Sequence, residues 1–457
     1  MSIRLPMPFQ QEGAEWLAGR NRALLCDEMG LGKTCQAILA ADRQSLRDVL
    51  VVAPASVITG WTREFEAWSS VGRPSKLVRS PPDVEGSGVR VVSYAKVIDP
   101  AVLNALRSRR WDLLIVDEAD AIKNPQAART RAVLGPRLDE MAGLVGCARY
   151  AWGLTGTPMP NTADELWALL RAFGPEALGE PRMSYWSWRK RYCVEVPIGQ
   201  NRTKIVGLRN GDELRTRMAP HVLRRRMDDV LPTLPPMRSE DWLLDAGAAA
   251  EELAMLTAGD PDLDTLSRRL MGAMLVLDES ALATLTGQLL QTISPDSVSR
   301  LRRYTGLVKA RVLAPLLAAE MAGSEEKLVV MAWHTEALDT LQEGLAPFVA
   351  VRISGDTPTA ERQEAIDAFQ SDPATRVFIG QILAAGAGIT LTAGAEIVFA
   401  ELSWSPRDNA QAARRIRRIG QNRPTRARYP SLSGTIDEAV IRTLRRKTAD
   451  ITEVIGA

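Results

Sequence analysis

The chain is poor in histidine, cysteine and net charge, and the first two shortages weigh against a metal centre. Only His221 and His334 are present, and the four cysteines, Cys26, Cys35, Cys147 and Cys193, form no CxxC pair. A zinc site is therefore not expected, and unpaired thiols fit a reducing compartment. Lysine and arginine number 57 against 55 acidic residues, leaving a net charge of +2 that neither demands nor excludes nucleic acid. No apolar run approaches the length of a membrane span. The opening MSIRLPMPFQ also lacks the apolar stretch of a signal peptide. A cytoplasmic protein without membrane contact is expected.

What is there belongs to an ordinary globular protein: 457 residues, 46% hydrophobic and 25% charged. That length exceeds one hydrophobic core and implies two or three domains. The near-neutral total hides arginine clusters, RRRM at 224–227 and RRIRRIGQNRPTRAR at 414–428.

The stretch that organises the rest is LLCDEMGLGKT, Leu24 to Thr34. Its order is that of a short apolar strand, a glycine-containing turn and a helix start. Without a Cβ, Gly30 and Gly32 let backbone N–H groups face a triphosphate. Lys33 would reach its β/γ-phosphates, and Thr34 would place a hydroxyl on Mg²⁺ at the helix N-terminus. The strict motif has glycine six residues before the lysine, where this chain has Asp27. A tight strand-to-helix connection with a surface lysine is the competing reading. A second motif, LLIVDEAD at 113–120, weighs against it. Four apolar residues read as a buried parallel strand, delivering Asp117 to a metal and Glu118 to an attacking water. An acidic helix cap is the bland alternative, but both motifs in this order favour ATP hydrolysis.

Along the chain, Gln10 offers a donor and an acceptor to an adenine edge, or is simply a surface glutamine on an amphipathic helix. VLVVAP at 49–54 reads as a strand whose exit loop carries Pro54, Ser56 and Trp61. VRVVSY at 89–94 delivers Ser93 and Tyr94 to a loop, where hydroxyls suit phosphodiester oxygens or cap a helix. AWGLTGTP at 151–158 ends in a small-residue turn, with Thr155 and Thr157 placed to sense the nucleotide or merely to close an αβ turn. From 161 to 225 the pattern is helical and aromatic. Trp186, Trp188 and Tyr192 read as core in preference to a base-stacking platform.

Pro232, Pro235 and Pro236 read as a stiff connector, and 246–305 as helix-period runs without strands. A second alternation of strands and helices follows without a phosphate loop. The expected fold is therefore α/β, with two tandem parallel-sheet lobes flanked by helices and a nucleotide clamped between them. Lobe 1 is expected over 1–240, with a helical protrusion at about 160–222; a helical bridge over 241–305; and lobe 2 over 306–457. In QAARRIRRIGQ, Arg415 and Arg418 stand three apart, on one face of the expected helix. Two guanidiniums so placed would bear on the γ-phosphate, a device worth about three to five orders of magnitude in rate.

Together these segments resemble the Swi/Snf-type ATPase motor of helicase superfamily two. DEMGLGKT, VVAPASVITGWTREFEAW, VVSYAKV, DEAD, LTGTP, LRRRMDDVLPTLPP, SGDTPTAERQEAIDAFQ, AAGAGITLTAG, FAELSWSP and QAARRIRRIGQ fall in that family's order. WRKRYC, ISGDTPTAER and FAELSWSP are similar to the annealing-helicase branch that remodels stalled forks. The resemblance implies RecA-like lobes and ATP-driven tracking on duplex or branched DNA, by a monomer that a protein partner recruits. It implies ATP contacts from Gln10, Asp27, Glu28, Met29, Gly30, Leu31, Gly32, Lys33 and Thr34, and Mg²⁺ at Thr34 and Asp117. Lys33, Asp117, Glu118, Arg415 and Arg418 would be catalytic, and Pro54, Ser56, Ser93, Tyr94, Gly386, Thr390 and Trp404 would lie along DNA. Asp120 stands where the family usually has His, Arg414 replaces a usual Asp, Arg417 a usual His and Ser405 a usual Asn. A strand-separating helicase and a nucleic-acid scaffold with a decayed ATPase are the alternatives.

Overall fold

The computed structural model describes residues 5–135, 142–197, 203–245, 247–265, 295–385 and 389–455. The chain divides into two compact units, one of Met1–Glu195, Ile205–Leu231 and Ala449–Ala457, the other of Val196–Lys204 and Pro232–Thr448.

The first unit is built on strands β1 (Arg22–Leu25), β2 (Val49–Ala53), β3 (Ser75–Leu77), β4 (Val89–Ser93), β5 (Trp111–Asp117) and β6 (Ala148–Leu154). A pair of strands, β7 (Cys193–Pro197) and β8 (Thr203–Leu208), forms a separate two-stranded sheet. The short strand β9 (Val222–Leu223) completes a seven-stranded parallel sheet of order β3-β4-β2-β5-β6-β1-β9. The unbroken run VLVVA is buried at every residue, as a parallel strand covered on both faces must be. Gly153 is required where β6 passes β1, because a Cβ there would lie 2.7 Å from both Leu24 and Phe173.

Register is what positions the site. Leu25 pairs with Leu154 and with Leu223, Asp117 pairs with Leu154, and Ala53 pairs with Ser93. Strands β1, β5, β6 and β9 therefore end in one row. The segments leaving them, which carry the phosphate loop, the acidic pair, LTGTP and the triple arginine, emerge side by side at the carboxyl edge of the sheet.

In the second unit, β10 (Met237–Leu244), β11 (Leu328–Ala332), β12 (Ala350–Ile353), β13 (Val377–Gln381), β14 (Glu396–Phe399) and β15 (Thr425–Leu432) form a parallel sheet of order β10-β15-β14-β11-β13-β12. Its core includes Phe369, Phe378 and Phe399, the last stacked on Tyr429 at 5.1 Å. Buried Lys309, from the long helix Pro295–Ala322, pairs with Asp437 at 2.8 Å and donates to the Pro430 carbonyl at 3.2 Å. The expected pair of parallel-sheet α/β regions is thus present.

Local expectations differ from the structure in three places. The segment 161–225 contains helices Glu165–Phe173, Tyr185–Tyr192 and Gly211–Met218, but also β7, β8 and β9. CVEVP and TKIVGL are short and half exposed, so their alternation is faint beside the aromatic run. Met237–Leu244, at the limit set for the first lobe, is an edge strand of the second sheet. Its exposed acids pair with arginines, Glu240 with Arg426 and Asp241 with Arg445, and this masks a period-two pattern. Finally, the arginines of TRARYPSL belong to a strand: Arg428 is buried against Glu320 and Glu396. Half of 246–305, Ala246 and the run 266–294, lies outside the described residues. Among the described residues no helix is long and apolar enough to cross a membrane.

All four cysteines are buried, and burial lifts the thiols of Cys26, Cys35 and Cys193 to about 12. A chromogenic disulfide reagent at pH 8 should titrate none of the four in the native protein and all four after unfolding in guanidinium.

Candidate nucleotide and DNA site

After β1 the chain turns through Cys26–Gly32 and enters the helix Lys33–Arg43. Gly30 and Gly32 sit at φ +91° and +70°. A Cβ on Gly32 would stand 2.4 Å from the Gln10 amide nitrogen, and one on Gly30 would stand 2.9 Å from the Met227 methyl. Both glycines are thus required by conformation, while the atoms that crowd them are the ends of the Gln10 and Met227 side chains. No side chain caps the helix start, so its first N–H groups and the positive end of its dipole are available to an anion. Lys33 folds back, donating to the carbonyls of Asp27 (2.7 Å) and Glu28 (3.3 Å). Burial lowers its pKa, opposed by the charges of Glu118, Asp27 and Asp117.

Asp27 has no exposed surface, so its charge must be matched inside the protein. Arg225 matches it, with Nη2 2.5 Å and Nε 3.1 Å from the two carboxylate oxygens, and the Arg225 backbone N–H adds a bond at 3.0 Å. The Gln36 amide donates to the same carboxylate at 3.0 Å, and Arg225 also reaches the Gln36 oxygen and the Phe9 carbonyl. Next door, Glu28 accepts the Met227 N–H at 2.5 Å. The LRRRM segment therefore clamps the phosphate loop from nearly 200 residues away. Sequence reasoning read these arginines as a cluster and part of a family motif, and gave them no partner. The available signal was Asp27 itself, an acid in a glycine position that needs a cation.

Gln10 is buried on helix Pro8–Ala18. Its Nε2 donates to the Leu31 carbonyl at 3.3 Å and its oxygen accepts the Met7 N–H at 3.0 Å. It is a buried brace of the loop, which corrects the surface-glutamine alternative. Leu31 is also fully buried, and Met29 packs where a Cβ on Gly156 would fall.

At the end of β5, Asp117 accepts Trp61 Nε1–H at 2.8 Å and the Glu118 N–H at 3.0 Å. Loss of water, then the Glu118 charge, pushes its pKa up to about 6. Trp61 does not lie on the loop as expected; it is buried in helix Ile58–Trp68. Glu118 holds a left-handed backbone, φ +46°, a strained state for a residue with a Cβ. Tyr94 secures it: the phenol donates to the carbonyls of Asp117 (2.7 Å) and Glu118 (3.3 Å). Tyr94 is 8% exposed, so it is a support for the acidic turn and not the loop hydroxyl expected along DNA. Asp120 accepts the Thr155 hydroxyl at 3.0 Å, and Thr155 in turn accepts the Thr157 N–H at 3.1 Å. The acidic turn and the LTGTP turn are therefore hydrogen-bonded to each other.

Pro54 is half exposed and Ser56 exposed on the loop after β2, while Ser93 caps helix Tyr94–Val97 by accepting the Lys96 N–H. In the second unit, helix Pro406–Ala413 stops before the arginines, so Arg415 and Arg418 do not share a helix face. Gly420, at φ +103°, and the Gln421 amide, which donates to the carbonyls of Thr392, Gly394 and Ile416, hold the segment in a turn. Arg415 donates to the Ile389 carbonyl at 3.3 Å, and Arg418 to the Thr390 hydroxyl at 2.9 Å. Burial lowers the Arg418 pKa. Thr390 is thus engaged by one of the two arginines, and Gly386 lies outside the described residues. Trp404 is half buried under the Arg302 guanidinium, 5.0 Å from its ring centroid. Arg417 donates to the Pro235 carbonyl at 2.8 Å.

Arg225→Ala would strand the Asp27 carboxylate and should cost about 3–5 kcal/mol of stability. Denaturant unfolding of the variant checks this. An unchanged midpoint would show that the carboxylate is not held by Arg225. Tyr94→Phe takes the phenol donor from the carbonyls of Asp117 and Glu118 and should lower stability by about 1–3 kcal/mol in the same unfolding measurement.

The model of the SNF2-related domain matches residues 9–253, and that of the helicase conserved C-terminal domain matches residues 308–420. The mouse protein named DNA annealing helicase and endonuclease ZRANB3 is 31% identical over 455 residues, covering 96% of this chain and 40% of its own length. The Xenopus tropicalis SWI/SNF-related matrix-associated actin-dependent regulator of chromatin subfamily A-like protein 1 is 28% identical over 444 residues, covering 94% and 43%. A solved Sulfolobus solfataricus SWI2/SNF2 ATPase core in complex with dsDNA aligns with 100% of this chain and 97% of that one, at 21% identity and a TM-score of 0.44. This chain spans about two fifths of the length of the curated relatives named here. With more than half of its residues matched by the first of these models, the chain belongs to the SNF2-related family.

Proposed function

We propose that the protein is a DNA-dependent ATPase that translocates on duplex DNA and remodels branched or protein-bound DNA, rewinding of forks included. The observation that carries this reading is the shared row of strand ends, which gathers the glycine cradle, the Asp117–Glu118 turn and the Thr155 turn at one edge of one sheet. A triphosphate fits the cradle, where the positive-φ glycines and the uncapped helix start face it. Lys33 leaves the Asp27 and Glu28 carbonyls to meet the β/γ-phosphates.

The residues also fit Mg²⁺. Among the described residues no cluster of three or more His, Cys, Asp or Glu could hold a metal ion, so the metal's remaining ligands would be phosphate oxygens and water, as this ion prefers. Thr34 and Asp117 would hold it, and the raised Asp117 pKa marks a carboxylate that a cation would relieve. When bound, the ion supplies charge neutralisation on the phosphates. Glu118 orients the attacking water and accepts its proton, held in place by its strained backbone and by Tyr94. Arg415 and Arg418 are the candidate cations for the phosphates, and Pro54, Ser56, Thr390 and Trp404 belong to the DNA track. Because phosphates dominate such contacts, binding falls steeply with salt.

Duplex DNA should raise ATP turnover severalfold or more, and Lys33→Ala, Glu118→Gln or Arg418→Ala should each abolish the stimulated rate. Turnover indifferent to every form of DNA would overturn the reading. Triplex displacement without forked-duplex unwinding separates translocation from strand separation.

A further inference from the structure

Trp186 is 69% exposed, while Trp188 and Tyr192 on the same helix, Tyr185–Tyr192, are fully buried. The buried pair explains how the helix is held. Trp188 Nε1 donates to the Ala163 carbonyl at 2.9 Å, and its ring lies 4.5 Å from that of Tyr192. Neither contact requires a tryptophan at 186, where a polar residue would suit water better.

The exposed ring is nevertheless held in a fixed pose. The Arg189 guanidinium stands over it, 5.2 Å from the centroid, and Tyr185 meets it edge-on at 5.6 Å and 66°. Those two are fixed in turn. Arg189 pairs with Glu195 at 2.8 Å, and the Tyr185 hydroxyl donates to Asp164 at 2.8 Å. An indole restrained in this way has already lost much of the freedom that binding would otherwise cost. Lys190 is exposed four residues on, hence on the same helix face, and Arg182 is exposed just before the helix. Over 182–197 four cations stand against Glu195, and Glu213 pairs with one of them, Arg191, at 2.8 Å.

We propose that Trp186 is a stacking platform for an unpaired base of a single-stranded or branched DNA segment, with Arg182 and Lys190 meeting the phosphates on either side. This rests on the DNA-motor reading and adds to it a contact outside the motifs above. Paired bases already stack on their neighbours and present phosphates outward, so a flat apolar ring gains little from intact duplex. An unpaired base offers a free π-face. The basic surround favours a polyanion over an apolar protein partner.

The test is fluorescence anisotropy of labelled DNA at fixed salt, comparing a blunt duplex with a fork of the same length bearing single-stranded arms. Trp186→Ala should weaken fork binding about fivefold or more, since each base stacked on an aromatic ring contributes about that much or more. It should leave blunt-duplex binding, duplex-stimulated ATP turnover and melting temperature unchanged, and Trp186→Phe should retain most of the fork affinity. Equal losses on fork and duplex would overturn the inference, and so would no loss on either, the result expected of a protein-docking surface. If wild type is stimulated by duplex while Trp186→Ala binds forks like wild type, this inference alone fails. If wild type ignores all DNA, the function itself fails.

Discussion

A carboxylate with no access to water must find a cation or lose its charge, and Asp27 finds Arg225. Much of the first unit's site follows from that pairing. The phosphate loop departs from the usual glycine at this position, so its base is held by a side-chain ion pair in addition to backbone turns. The partner arrives on a segment that has first run through a helical protrusion and a separate pair of strands, then returned as the two-residue strand β9 beside β1. Breaking such a pair costs far more than the pair contributes net. The loop is therefore tied to the correct return of that segment, and with it to the Gln36 and Phe9 contacts that seat the two neighbouring helices.

The acidic turn is held by a different economy of contacts. Asp117 spends both oxygens on Trp61 and on the Glu118 N–H, Glu118 is kept in a left-handed conformation, and Tyr94 fastens the two carbonyls from below. Asp120 then accepts the Thr155 hydroxyl. The acidic turn and the LTGTP turn are thus joined by a direct hydrogen bond. In the second unit the logic is similar with the sign reversed: Arg415 is a buried cation and Arg418 a half-buried one, directed by a backbone carbonyl and a hydroxyl on the stretch Ile389–Thr390. Directed cations of this kind lose little freedom when they engage an anion.

Where the sequence misled, its signal had been drowned by a stronger one. The arginines at 415 and 418 sit three apart, a helical spacing, but Gly420 and the three carbonyls captured by Gln421 form a turn there instead. Arginines alternate along β15 because Glu320, Glu396 and Glu240 pair with them, which made a strand read as a basic tract. Trp186, Trp188 and Tyr192 looked like one aromatic set. Only two of them are core, since residues two apart on a helix, such as 186 and 188, stand about 200° apart around its axis.

By itself the sequence determined the two parallel-sheet regions, because apolar runs such as VLVVA and LVVMA can be satisfied only by burial on both faces. It also determined the cradle glycines, the lysine and the paired acids, whose chemistry is local and whose spacing is short. Tertiary structure alone decided that Arg225 holds Asp27, that Tyr94 is a buried prop, and that four strands end in one row. Those outcomes depend on register and on partners up to nearly 200 residues apart, and neither leaves a periodic mark in the chain.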